Sequence, residues 1–320
     1  MLNRRYLRIK VYQSLYAYWQ SDSSSAARIE KELFLSIERT FDLFVTLLLT
    51  FGELRRVADL RMEERRLKRL PTPEDLHPNR RFVDGVLMNA IAASSVLEAE
   101  ANKRKVGWMG QGDLFQRILK QMDQDERFKA FLTTPPDDLR AEQQFLLHLF
   151  VEHVANFEDL HEHFEARSIY WLEDLDLACA LVKRVLEGLR TPAAFDPAVV
   201  DVLAAPAAEQ HFVSTLFRKS IEQGEEHGRL IAEKAANREA DRIALSDMIL
   251  IRMALTEART FEDIPVKVTL NEYIEVAKAY STPKSKNFIN GILDKLFLEL
   301  KEQGGIRFEA VAQVEAKGGA

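Results

Sequence analysis

Cysteine is nearly absent from this chain of 320 residues. Cys179 is the single one, which excludes an internal disulfide framework and a thiolate zinc cluster. Glycine is scarce too, at 13 residues, and alternating β-branched runs are missing. Strands and their tight turns call for both, so a composition rich in Leu, Ala, Glu and Arg predicts an all-α protein. The longest apolar run, 43–51, falls far short of the roughly 20 residues that cross a bilayer. No long apolar segment or small-residue cleavage site follows Met1-Leu2-Asn3-Arg4-Arg5. A leader peptide is therefore not expected, and the default location is cytoplasmic. Positive charge is not in excess either: the formal net charge is −6, so any nucleic-acid site must be local.

Chemical motifs are similarly thin. The loop Lys103-Arg104-Lys105-Val106-Gly107-Trp108-Met109-Gly110-Gln111-Gly112 lacks the spacing of a phosphate-binding P-loop and follows no predicted strand. It reads as a connection with Trp108 packed. Cys179 lies on the apolar face of a predicted helix, where a lone cysteine acts as a small hydrophobe. Residues 136–164, read as one helix, carry His148, His153, His161 and His163 among Glu152, Glu158, Glu162 and Glu165. At α-helical spacing only His161 and Glu165 share a face, while His148 and His153 point apart. No His-Glu-x-x-His occurs, so neither a metal nor a cofactor is expected.

What is present is helical periodicity. Residues 3–20 place Leu7, Val11, Ser14, Leu15 and Tyr18 on one face and Arg5, Arg8, Tyr12 and Tyr16 on the next, with no acid before Asp22. Arginines interleaved with tyrosines suit single-stranded RNA, whose phosphates take guanidinium groups and whose bases stack on rings. Core aromatics with arginines paired to distant acids would give the same pattern. Ser21–Ser25 reads as a linker. A long helix follows from Ala26, turns highly charged over 55–69 and ends at Pro71, Pro73 and Pro78. Helices are predicted at 80–102, 113–131, 136–164 and 168–189. The stretch 191–206, rich in Pro, Ala and Asp, is the best boundary candidate. Further helices span 211–229, 231–237 and 238–259, the last almost without a polar side and interrupted by Asp247 and Arg252.

Near the end, Pro265 opens a helix with the stripe Val266, Leu270, Ile274 and Ala277. Ser281-Thr282-Pro283 then restarts a second, with Thr282 as N-cap and Pro283 at N1. Its apolar side is Phe288, Ile289, Ile292, Leu293, Leu296 and Phe297. Lys284 and Lys286 sit in its first turn, where cations oppose the helix dipole. They form either an anion cradle or a solvated pair. Gly304-Gly305 stops this helix, and 301–320 reads as a flexible tail.

This last stretch resembles the transcription antitermination factor NusB family. The resemblance rests on Ile264-Pro265-Val266-Lys267-Val268, Asn271-Glu272, Glu275-Val276-Ala277-Lys278 and Phe288-Ile289-Asn290-Gly291-Ile292-Leu293-Asp294-Lys295. Leu250-Ile251-Arg252-Met253-Ala254-Leu255 matches the family's Leu-Arg-x-Ala-Leu helix, and Arg4, Arg5, Arg8, Gln13, Leu15 and Tyr16 match its first helix. The resemblance implies a helical-bundle core of two helical subdomains, drawn from residues 1–22 and 211–300, with 23–210 as a helical insertion of unassigned role. It implies a factor that binds boxA-type single-stranded RNA together with NusE, the ribosomal small-subunit protein, within a transcription elongation complex on ribosomal RNA operons. Carried over by position, the RNA-contacting candidates are Arg4, Arg5, Arg8, Tyr16, Asp247, Arg252, Tyr280, Lys284 and Phe288. Lys284 stands where some members have an acid.

Two other functions compete. A helical adaptor or ribosomal-protein chaperone would have its RNA face covered by the insertion. An enzyme is suggested by NusB-like domains that precede RNA cytosine methyltransferase domains, but no cofactor motif or Pro-Cys nucleophile follows here. No catalytic activity is expected.

Overall fold

The computed structural model describes residues 2–21, 25–204, 206–235 and 243–306. Among these every regular element is helical. Residues 22–24 of the predicted linker, the start of the helix expected from Arg238 and residues 307–320 of the predicted tail lie outside the described residues. The helices are α1 (Arg4–Gln20), α2 (Ala26–Arg66), α3 (Pro73–Leu76), α4 (Val86–Ala92), α5 (Ser95–Arg104), α6 (Gly112–Met122), α7 (Glu126–Phe131) and α8 (Leu139–His148). A π-helical turn (Leu149–Ala155) continues α8, followed by α9 (Glu158–Arg167), α10 (Trp171–Gly188), a 3-10 turn (Pro192–Ala194) and α11 (Phe195–Leu203). The series closes with α12 (Ala207–Glu222), α13 (Gly224–Lys234), α14 (Leu245–Thr260), α15 (Val266–Tyr280) and α16 (Ser285–Glu302).

The chain divides into two compact units. One is Ser36–Ala204; the other joins the described residues of Leu2–Leu35 to those of Ala205–Ala320. The division falls inside α2. In the first unit, Phe41, Phe44 and Phe51 of α2 are buried with Phe115 and Phe150. Phe131 stacks on Phe145 at 4.2 Å, tying α7 to α8. Glu142, fully buried, accepts from the backbone N–H groups of Val86, Leu87 and Met88 and from Arg81 Nη1. It thereby satisfies donors that the start of α4 would leave orphaned. A Cβ at position 85 would collide with that carboxylate, so Gly85 is what lets it in.

Some sequence expectations give way here and others hold. The helix read over 80–102 is two helices, because Ser94 leaves the first and caps the second by accepting from the Leu97 amide. Asp125 interrupts 113–131 as the N-cap of α7 in the same way. The boundary candidate 191–206 contains α11, whose Phe195, Val199 and Val202 are buried, and the first compact unit ends within it, at Ala204. Trp108 is buried and donates its indole N–H to the Thr46 carbonyl at 3.0 Å. Cys179 is half-buried, and burial, with Asp176 next, pushes its thiol up to about 12.

In the second unit α14 is the hub, packing against α1, α12, α13, α15 and α16. Its buried run from Ile249 to Ile251 and from Met253 to Ala258 explains why the sequence shows almost no polar side. The α16 face expected from the sequence is buried except for Phe288, which is half-buried. The α15 stripe differs. Val266, Thr269, Tyr273, Val276 and Ala277 are buried, while Leu270 and Ile274 are only partly covered. The interior supplies partners for two hydroxyls, which makes Thr269 and Tyr273 better core residues than their polarity suggests.

Candidate nucleic-acid interface

Arg4 and Arg5 open α1, a helix with no acid in its first turn. Asn3 caps it by accepting from the Tyr6 amide at 2.8 Å. Two cations at a helix N-terminus oppose the dipole, and acids from remote segments offset them. Arg4 pairs with Glu209 at 3.4 Å and Asp263 at 3.2 Å. Arg5 donates through Nε and Nη2 to both oxygens of Glu272, each at 2.8 Å, and those bonds hold the Glu272 carboxyl below its usual range. Arg4, Arg5, Asp263 and Glu272 line one cleft with Ile264, Pro265 and Val268.

Arg8 is different. Its side chain is 3% exposed and that of Glu257 is 0% exposed. The guanidinium donates to both Glu257 oxygens, at 2.7 and 2.8 Å. Thr269 Oγ1 and Tyr273 OH complete the carboxylate's shell at 2.9 and 3.1 Å. Four donors satisfy one buried acid, and the cluster joins α1, α14 and α15 across 249 residues of sequence. Burial alone would lower the Arg8 pKa, but the bonds and charge of Glu257 overcome it and raise the pKa above its ordinary value. Burial, reinforced by the Glu257 charge, drives the Tyr273 phenol well up. Two arms of the Arg8 fork are thus turned inward to Glu257, and Nη1 lies 3.7 Å from Glu272 at the cleft.

One helical turn further along, Tyr12 is buried against Tyr16 (6.3 Å between ring centroids) and Tyr280 (5.5 Å). Tyr280, the last residue of α15, is 37% exposed. Beyond it Asp247, buried at the start of α14, accepts from the hydroxyls of Ser281 and Ser285 at 2.5 and 2.9 Å. This clasp fixes the α15–α16 turn. Regular hydrogen bonding in α16 begins at Ser285, so the expected cap at Thr282 moves: Lys284 is the N-cap residue, and Thr282 Oγ1 instead bonds Ser285 Oγ at 2.8 Å. Lys284 and Lys286 are exposed, and neither enters an ion pair among the described residues.

The candidates thus fall into three places. Arg4, Arg5 and Arg8 lie at the cleft. Tyr16, Tyr280, Asp247, Lys284 and Phe288 belong to the far end of α1 and the clasped turn. Arg252 makes the third place, on the last turn of α1: its guanidinium sits 5.0 Å over the Trp19 ring and so close to Gly228 that any side chain there would displace it. Desolvation lowers the Arg252 pKa, and its Nε is buried without a partner among the described residues. Sequence reasoning missed Glu257, Glu272, Thr269 and Tyr273. The available signal was a carboxylate at 257 inside an otherwise apolar helix.

The histidines also need correction. His148 and His153 do not point apart: both Nε2 atoms meet Asp125 Oδ2, at 2.5 and 2.7 Å. The residues between them are π-helical. Five residues sweep about 500° in an α-helix but little more than one turn in a π-helix, so the pair shares a side.

Residues 196–297 match the NusB family. The protein named transcription antitermination protein NusB from Salinibacter ruber is 46% identical over 93 residues, 29% of this chain and 58% of the relative. Its namesake from Chloroherpeton thalassium is 40% identical over 104 residues, 32% and 49% of the two chains. That from Geobacter sulfurreducens is 40% identical over 98 residues, 31% and 71%. The chain thus spans about half the length of the first two relatives and more of the third. No solved structure matches it.

Proposed function

Because the chain belongs to the NusB family, we propose that it is a transcription antitermination factor, a binding protein without catalytic activity, that engages boxA-type single-stranded RNA together with NusE. In this reading residues 1–22 and 211–300 supply the antitermination core and 23–210 a helical addition. The compact grouping of Leu2–Leu35 with the C-terminal helices supports a core drawn from both ends of the chain, although that unit runs to Leu35 and the family match starts at 196.

The observation that carries the RNA reading is the state of the cations at two helix starts. Those of α1 are met by acids, whereas Lys284 and Lys286 are exposed and enter no ion pair among the described residues, in a stretch of chain that runs from Tyr280 to Phe288. Uncompensated cations flanked by rings suit phosphates and unstacked bases. Lys284, Lys286, Tyr280, Phe288 and Tyr16 then form the contact surface. Arg5 joins by exchanging Glu272 for a phosphate, being 49% exposed. Asp247 and Arg8 hold the surface in shape.

The acid partners of Arg4, Arg5 and Arg8 favour a second reading, a protein-binding adaptor that uses NusE alone. Fluorescence anisotropy with a boxA-type RNA, with and without NusE, separates the two. Wild type should bind, and Tyr280→Ala should cost about 1–3 kcal/mol, the usual value of one stacked base. Binding to NusE with none to RNA would leave the adaptor.

A further inference from the structure

We propose that Asp125, His148 and His153 form a site for one divalent first-row transition-metal ion, with Zn²⁺ the best match. Their ligand atoms, Asp125 Oδ2 and the two Nε2 atoms, lie within 4.8 Å of one another. All three side chains are largely buried, at 12–15% exposure. The imidazole rings are 5.8 Å apart and nearly perpendicular, so their nitrogens converge from different directions. Two imidazoles and a carboxylate are the protein ligands of an open tetrahedral zinc centre, the fourth position being left to water.

The backbone is arranged for this convergence. Asp125 is the N-cap of α7, and its other oxygen accepts from the Arg127 amide at 2.8 Å, which fixes the carboxylate's direction. The π-helical turn brings His153 onto the side of His148. Such turns are rare and recur at functional sites. The present oxygen–nitrogen separations are shorter than the roughly 3.3–3.4 Å between donors around a tetrahedral ion bonded at about 2.0–2.1 Å. Each has to open by less than an ångström, within the range of a side-chain rotation.

Arg127 sets the condition for filling the site. Its Nη1 lies 3.2 Å from His148 Nδ1. A guanidinium only donates, so Nδ1 accepts, and the His148 proton resides on Nε2, where it bonds Asp125. A metal at Nε2 requires that proton to move to Nδ1 and Arg127 to swing away. Arg127 is exposed, so it can leave. It therefore competes with the metal, and removing it should tighten binding.

The test is calorimetric titration of the full, chelator-treated chain with Zn²⁺ and separately with Co²⁺. The expected result is one tight equivalent. His153→Ala should weaken it at least about 100-fold, beyond the loss usual for an outer-shell partner. Arg127→Ala, an exposed change that leaves the fold alone, should strengthen it several-fold. His161→Ala, removing a histidine outside the trio, should change nothing. No stoichiometric binding, equal binding by wild type and His153→Ala, or weaker binding by Arg127→Ala would each overturn the proposal and leave the trio as a hydrogen-bonded cap.

Discussion

Replacing Arg8 by alanine separates a buried structural arginine from an RNA contact. The change removes both guanidinium bonds to Glu257 and leaves a fully buried carboxylate with only the hydroxyls of Thr269 and Tyr273. Breaking a buried pair from one side costs about 3–5 kcal/mol. For a unit of this size each kcal/mol moves the melting temperature by about 2–4 °C. The transition of the unit containing α1 and α14 should therefore fall by roughly 6–20 °C in scanning calorimetry. Arg8→Met combined with Glu257→Leu should recover part of the loss, because replacing both ions removes the uncompensated charge. Recovery stays incomplete, since two hydroxyls lose their acceptor. A melting temperature within about 2 °C of wild type for Arg8→Ala, together with weaker RNA binding, would refute the buried-pair account.

Two further outcomes follow from the same unit. His227 is fully buried, and desolvation, with the Arg259 cation next, lowers its pKa from 6.5 to about 4. The unfolded chain thus binds the proton first: stability is full above pH 6.5 and declines as pH falls toward 4. About 2 kcal/mol should be lost between pH 7.5 and 5 in urea melts, and His227→Gln should flatten the profile. An unchanged slope would remove His227 as the cause. Ser285→Ala deletes one donor to buried Asp247 and should cost about 1.5–3 kcal/mol; a loss under about 0.5 kcal/mol would mean that the clasp contributes little.

Much of the architecture could be read in the sequence because it follows local periodicity. The buried run around Leu250–Leu255, the long helix from Ala26 and the apolar face of α16 all follow from residues a few positions apart. The site was less legible, because its determining partners are remote. Glu209, Asp263, Glu272 and Glu257 lie between 205 and 267 residues from the arginines that they bind. No local window distinguishes an arginine met by such an acid from one left for a phosphate. The α15 stripe was misread for a related reason: the hydroxyls of Thr269 and Tyr273 become core groups only when Glu257 is known to be inside. His148 and His153 were misjudged because the spacing rule assumed an α-helix at the one place where the backbone widens into a π-turn.

The central claim, that the clasped α15–α16 turn presents RNA-binding cations, is tested most directly by the salt dependence of binding. A boxA-type single-stranded RNA would be titrated by anisotropy from 50 to 200 mM salt against wild type and Lys284→Ala/Lys286→Ala. Each phosphate contact on a single strand contributes about 0.7 to the slope of log K against log salt. Loss of both lysines should flatten the slope by about 1.4, so that the advantage of wild type shrinks roughly sevenfold across that range. Identical slopes for the two proteins, or no RNA binding by wild type with NusE present, would contradict the claim.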